Sequence, residues 1–75
     1  MARTAAATQS LNVLVNGEVV RSHAANLAEL IAELGYGDAK VATALNGEFV
    51  PERARAGTRL APDDKIEIVA PRQGG

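Results

Sequence analysis

The chain has 75 residues, of which 47% are hydrophobic and 23% charged, and its formal net charge is -1. This length allows one domain with a modest core. The near-neutral charge excludes the dense basic surface of nucleic-acid-binding proteins, and no apolar run is long enough to cross a membrane. We therefore expect a cytoplasmic protein that binds neither nucleic acid nor membranes.

Cysteine is absent and histidine occurs once. These counts exclude disulfides, thiolate catalysis and the usual Cys or His metal sites. The sequence also contains no phosphate-binding glycine loop and no nucleophile motif. We expect no bound cofactor, no metal and no active site within the chain itself.

The N-terminal part predicts an extension followed by a β-hairpin. Residues 1–10 are small and polar without apolar periodicity, which is typical of a flexible arm. Apolar residues then alternate from Leu11 to residue 15. Asn16-Gly17 favours the two-residue type I′ turn that leads into a second strand over residues 18–21.

A helix is the next predicted element. Its N-cap is Asn26, Glu29 is placed to reach back to the Asn26 backbone N–H, and Gly35 supplies a left-handed stop. One apolar stripe at i, i+3, i+4 and i+7 is formed by Leu27, Leu30, Ile31 and Leu34.

The C-terminal half predicts three more strands. A second Asn-Gly pair, at 46–47, separates residues 41–45 from residues 48–50. Residues 51–62 lack clean periodicity and predict an irregular connection. Residues 65–70 predict a final strand in which Ile66 and Ile68 share a face opposite Lys65 and Glu67.

This order predicts an α+β fold, with a mixed sheet of four to five strands and one main helix packed on one face. A β-grasp arrangement fits the order, with the first and last strands adjacent and parallel. We expect the domain to span residues 11–70 and residues 71–75 to form a flexible tail.

The sequence given ends in Gly74-Gly75. Because glycine has no Cβ, such an end is thin enough to lie in a narrow channel and bring the α-carboxylate to another protein's active site. Transfer of this carboxylate to the adenylyl group of ATP creates a mixed anhydride, which a sulfur nucleophile can attack to give a thiocarboxylate. The alternative is a frayed terminus without a role.

Five segments carry a family resemblance: VNGE at 15–18, LAELIAELG at 27–35, VATALNGEFVP at 41–51, TRLAPDDKIEIV at 58–69, and Gly74-Gly75. Together they resemble the ThiS family, the sulfur carriers of thiamine biosynthesis, over residues 11–75. The resemblance implies a ubiquitin-like β-grasp fold. It also implies partners: a ThiF-type adenylating enzyme that consumes ATP, a sulfur-donating enzyme, and thiazole synthase.

The resemblance makes Gly75 the residue that is adenylated and then bears sulfur as a thiocarboxylate. Gly74 is then the narrow residue, without a side chain, that precedes the reactive terminus. Arg72 and Gln73 are tail positions that contact the partner. The chain is then a carrier and co-substrate rather than an enzyme.

For the partner surface, we expect apolar side chains on the sheet face away from the helix. The candidates are Phe49, Leu60 and Ile68, each of which fits the core as well.

Two positions depart from the family pattern. Arg55-Ala56 stands where relatives often carry Trp-Ala, and Asp63-Asp64 stands where Gly-Asp commonly precedes the last strand. Arg55 also belongs to a local basic segment with Arg53 and Arg59, which is expected to be a solvated loop or an electrostatic guide for an acidic partner.

Three other functions stay open at this stage. The small subunit of molybdopterin synthase shares the fold and the Gly-Gly end, although VATALNGEFVP favours the thiamine carrier. A ubiquitin-like modifier would use the activated Gly75 to form an amide with a target lysine. A plain interaction domain would not use the terminus at all.

Overall fold

The computed structural model describes residues 10–37 and 39–70, so the predicted N-terminal arm, apart from its last residue, and the whole predicted tail lie outside the described residues. Five strands and one α-helix follow in chain order: β1 Leu11–Val15, β2 Glu18–Ser22, α1 Leu27–Glu33, β3 Ala42–Leu45, β4 Glu48–Val50 and β5 Lys65–Val69. Within the described ranges, no helix is long and apolar enough to cross a membrane.

Both Asn-Gly pairs form the predicted hairpin turns. Asn16 and Gly17 have φ of 51° and 87°, and Asn46 and Gly47 have φ of 51° and 89°. Positive φ at both central residues is the signature of the type I′ turn, whose twist matches that of the flanking strands. The antiparallel hairpins β1–β2 and β3–β4 result.

The two hairpins meet on the last strand. The sheet order is β2-β1-β5-β3-β4, with β5 in the centre. β5 runs parallel to β1, where Leu14 pairs with Lys65, and antiparallel to β3, where Ala42 pairs with Val69. The helix α1 joins the two hairpins. The arrangement is the predicted β-grasp fold.

The helix ends are closed as the sequence predicts, with one difference. Asn26 Oδ1 accepts a hydrogen bond from Glu29 N at 2.9 Å, and Gly35 adopts φ of 95° after the last turn. The Glu29 carboxylate, however, accepts from Ala25 N at 2.8 Å rather than from Asn26 N. The carboxylate thus reaches one residue further back than in a capping box, to the residue before the extended Asn26, which is itself bridged to Arg59.

The core lies between α1 and one face of the sheet. Leu27, Leu30 and Ile31 are the buried residues of the helix. They belong to one cluster with the buried side chains that the strands and the β2–α1 connection contribute: Val13, Ala24, Val50, Ile66 and Ile68.

The connection after β4 contains a short helix, so the prediction of an irregular segment over residues 51–62 is wrong for residues 52–57. Residues Glu52–Gly57 form a 3₁₀-helix, and Arg55 within it is only 7% exposed. Arg55 Nε donates to Thr43 Oγ1 at 3.0 Å and Nη2 donates to the Val41 carbonyl oxygen at 2.6 Å. Sequence reasoning missed this because nothing local marks an arginine that packs under a distant strand. Arg55 therefore does not belong to a solvated basic segment.

Replacing Arg55 by Ala is expected to destabilise the fold by about 2–4 kcal/mol, since it removes two charge-assisted hydrogen bonds and buried packing. Urea unfolding with a two-state fit measures the difference. The matched control is Arg53→Ala, two residues away and exposed, which should stay within about 0.5 kcal/mol of the parent. Equal stability of the two variants would contradict the role assigned to Arg55.

The turn before β5 contains Asp63 and Asp64. Asp63 adopts φ of 70°, a left-handed conformation that favours glycine. Its neighbour Asp64 accepts from Ala61 N at 2.8 Å and from Asn46 Nδ2 at 3.0 Å. Asp63 therefore carries backbone strain, while Asp64 holds the turn together.

Asp63→Gly is expected to leave the free energy of unfolding unchanged or raise it by up to about 1 kcal/mol, because relief of the left-handed strain outweighs the entropy lost on fixing glycine. Asp64→Gly should instead lower it by about 1–2 kcal/mol through loss of its hydrogen bonds. Thermal unfolding of the pair tests the assignment, and destabilisation by both replacements would refute it.

Candidate functional site

The predicted tail begins where the central strand ends. β5 ends at Val69, and Ala70 is the last described residue before residues 71–75. The site residues predicted there, Arg72, Gln73, Gly74 and Gly75, lie outside the described residues. What the structure establishes is the base of the tail: a strand paired on both sides, with β1 and β3.

The side chains of β5 alternate between two environments. Ile66 and Ile68 are buried under the helix, whereas Lys65, Glu67 and Val69 are exposed on the opposite, outer face of the sheet. Cross-strand pairing places the outer-face residues of the neighbouring strands beside them. These residues are Asn12 and Leu14 in β1, Val19 and Arg21 in β2, Ala42 and Ala44 in β3, and Phe49 in β4.

The outer face carries the three large apolar side chains that are most exposed in the described part of the chain. Val19 is 68% exposed, Phe49 69% and Val69 62%. Val69 pairs with Ala42, and Phe49 pairs with Ala44, so small side chains lie between these two large ones. We name Ala42, Ala44, Phe49 and Val69 the outer apolar patch. The patch lies beside the base of the tail.

Val19 lies apart from this patch. It pairs with Leu14, which in turn pairs with Lys65 at the start of β5. The row that contains Val19 is therefore at the opposite end of β5 from Val69, and the exposed Lys65 and Glu67 lie between them on the strand. Among the large exposed side chains of the outer face, Val69 is the nearest in sequence to the tail.

The structure places the three predicted surface residues in different environments. Phe49 is exposed on the outer face. Ile68 is 6% exposed and belongs to the core, because it alternates with the outward-facing Glu67 and Val69. Leu60 is partly buried and packs against the core. Sequence reasoning missed Val69, although the alternation that paired Ile66 with Ile68 already placed it on the outer face.

Two shallow grooves border the base of the tail. One has a volume of about 680 Å³ and is lined by Lys40, Val41, Glu52 and Val69, among others. The other, of about 530 Å³, is lined by Leu14, Asn16, Glu67 and Val69, among others. Both are open to solvent, and Val69 lines both. In the described ranges, no cluster of three or more His, Cys, Asp or Glu side chains could hold a metal ion.

The arrangement therefore presents an apolar patch beside the end of a strand that is paired on both sides. A partner protein can contact the patch and the end of β5 at the same time. Chemistry at the terminus needs no side chain of the domain itself, since a partner's active site can supply the positioning and the stabilising charges.

Known proteins similar to this chain were found by family and by structure. The family model for the ThiS family matches residues 22–75. No match is found among curated protein sequences. Among solved structures, the crystal structure of the thiamine biosynthesis protein ThiS from Geobacter metallireducens aligns with a TM-score of 0.72 and 30% sequence identity, over 87% of this chain and 100% of that one. The chain belongs to the ThiS family.

Proposed function

We propose that this protein carries sulfur for thiamine biosynthesis as a thiocarboxylate on the α-carboxyl group of Gly75. Membership of the ThiS family supports the role of sulfur carrier, and the single observation that carries the assignment is the family match, which extends through Gly74-Gly75. The family match and the similarity to a thiamine biosynthesis protein favour the thiazole route over the molybdopterin route.

The proposed chemistry takes place at one carbonyl carbon. The Gly75 carboxylate attacks the α-phosphorus of ATP, pyrophosphate leaves, and an acyl adenylate forms. A persulfide on the sulfur-donating enzyme then attacks the acyl carbon, and AMP leaves to give an acyl disulfide. A thiol attacks the donor's sulfur in that disulfide, forms a new disulfide with the donor and releases the thiocarboxylate. A ThiF-type enzyme binds the ATP and supplies the catalytic groups, so the carrier needs no cofactor of its own.

Thiazole synthase is the proposed acceptor of the sulfur, and a separate sulfur-donating enzyme supplies it. Gly74 lacks a side chain, which fits passage through a narrow channel. Arg72 and Gln73 would lie at the channel entrance, where they can contact the adenylating enzyme. The carrier is a co-substrate in each of these steps.

One added residue tests the role of the terminus. A variant extended by Ala after Gly75 is expected to lose sulfur loading completely and keep the parent's free energy of unfolding, because the reactive carboxylate then lies on the wrong residue. Each variant is incubated with the ThiF-type enzyme, ATP and a sulfur donor. Intact-mass spectrometry then measures loading as a gain in mass equal to the difference between a sulfur and an oxygen atom.

The control is a variant with Ala inserted after Met1, far in sequence from the terminus, which should load like the parent. Loading of the C-terminally extended variant would exclude carriage on Gly75.

Transfer from the loaded parent to the molybdopterin precursor but not to thiazole synthase would overturn the thiamine assignment. Amide-linked adducts on lysines that disappear when Gly75 is deleted would favour a protein modifier.

The outer apolar patch is the proposed contact surface for the adenylating enzyme. An enzyme that holds the tail approaches the domain at the end of β5, where Val69 is exposed and Phe49 lies two strands away. Burying such side chains at an interface supplies binding energy, whereas a carboxylate in their place would be desolvated without a partner.

We expect Val69→Asp and Phe49→Asp to lower kcat/KM for adenylation by roughly 10- to 100-fold, with the larger effect at Val69. Pyrophosphate release at varied carrier concentration is the measurement. Val19→Asp is the matched control, because Val19 has nearly the same exposure on the same face but lies in β2, level with the first residue of β5. An equal loss in all three variants would contradict a contact centred on the patch.

A further inference from the structure

The two Asn-Gly turns do more than reverse the chain, because both asparagine side chains hydrogen-bond to the last strand. Asn16 bonds to Ile68, and Asn46 bonds to Lys65 and Asp64. The two bonded positions lie at opposite ends of β5. Asn46 thus holds the beginning of the strand and Asn16 holds its end.

The contact at the end of β5 replaces a missing piece of β1. The backbone groups of a strand point alternately to its two neighbours, so Ile66 and Ile68 face the β1 side, while Lys65 accepts from Asn46 N on the β3 side at 2.7 Å. Asn16 N donates to the Ile66 carbonyl oxygen at 2.9 Å. β1 itself stops at Val15 and the chain then turns away.

The Asn16 carboxamide fills the next position of this ladder. Its Oδ1 accepts from Ile68 N at 2.9 Å, and its Nδ2 donates to the Ile68 carbonyl oxygen at 3.2 Å. A carboxamide offers the same donor and acceptor as a peptide group. The side chain therefore extends the pairing of β5 with β1 by one residue, up to the strand's last buried side chain.

This contact lies directly before the residues that lead to the terminus. Gly75 follows Ile68 by seven positions, and a chain of that length spans at most roughly 23 Å when extended. A rotation of the Ile68 peptide would change the direction in which Val69 and Ala70 leave the sheet, and with it the starting direction of the residues that lead to Gly75. Pairing on the β3 side continues to Val69, but without Asn16 the β1 side of Ile68 would lack its hydrogen bonds.

We propose that Asn16 is a positioning residue for the reaction at Gly75. By hydrogen-bonding both polar groups of the Ile68 peptide, it fixes the direction in which the tail leaves the sheet and lowers the entropy lost when an adenylating enzyme binds the tail. This inference rests on the proposed carrier function. Asn46 has the same turn and also makes two side-chain hydrogen bonds, one with Lys65 N at the far end of β5 and one with the Asp64 carboxylate before the strand. It does not contribute to this positioning.

The pair Asn16→Gly and Asn46→Gly isolates the effect. Glycine keeps the positive φ that each turn needs and removes only the carboxamide, and each replacement costs two hydrogen bonds. The free energy of unfolding should therefore fall by a similar amount in the two variants.

With the full chain, the ThiF-type enzyme and saturating ATP, Asn16→Gly is expected to raise KM for the carrier about three- to tenfold with kcat nearly unchanged. Asn46→Gly should leave KM within about twofold of the parent.

A second readout needs no partner. Amide NMR of the free protein is expected to show lower order parameters at Val69 and Ala70, and faster exchange of the Ile68 amide, in Asn16→Gly but not in Asn46→Gly. Asn16→Asp is a further variant that keeps the acceptor for Ile68 N–H but places an oxygen against the Ile68 carbonyl. It should raise KM in the same direction while the Ile68 amide stays protected.

Equal KM values for Asn16→Gly and Asn46→Gly, or unchanged order at Val69 and Ala70, would overturn the inference about Asn16. Failure of the parent itself to be adenylated would instead overturn the proposed function. In that case, the measurements on the free protein still decide whether Asn16 orders the end of β5.

Discussion

The whole sheet depends on the pairing of β5 with a strand on each side. β1–β2 and β3–β4 are local hairpins with short turns, and β5 joins them through one parallel and one antiparallel ladder. A two-stranded hairpin is at best marginally stable in water. The last segment of the domain therefore turns two weak hairpins into one sheet, and its buried side chains, Ile66 and Ile68, give α1 a surface to pack against.

The two faces of the sheet therefore have different roles. The face that packs against α1 forms the core. Arg55 connects the 3₁₀-helix to this face through its hydrogen bonds to Val41 and Thr43. The outer face contributes little to the core, so its side chains are available for recognition, and three large apolar ones are exposed there. A partner can contact this face without disturbing the packing that holds β5 in place.

Local patterns predicted most of the fold, and long-range contacts account for what they missed. The Asn-Gly turns, the Asn26 cap and the Gly35 stop each depend on a few adjacent residues, and all are confirmed. The ThiS resemblance, from which the partner enzymes followed, is confirmed by the family match. Burial of Arg55 under β3 depends on residues 12 and 14 positions away, which no local pattern reveals. The proposed chemistry at Gly75 stays a prediction, because the tail lies outside the described residues.

The central position of the last strand also couples folding to recognition. Leu14 and Lys65 are far apart in sequence, and such long-range pairing costs more loop-closure entropy and forms more slowly than a local hairpin. The outer apolar patch is assembled from β3, β4 and β5, so it exists only when β5 has docked beside β3. Under the proposed function, an enzyme that contacts both the patch and Gly75 would therefore select folded carriers over unfolded ones. If the reactive group followed an edge strand, its position would not depend on whether the whole sheet is folded. An edge strand can fray while the rest of the sheet persists.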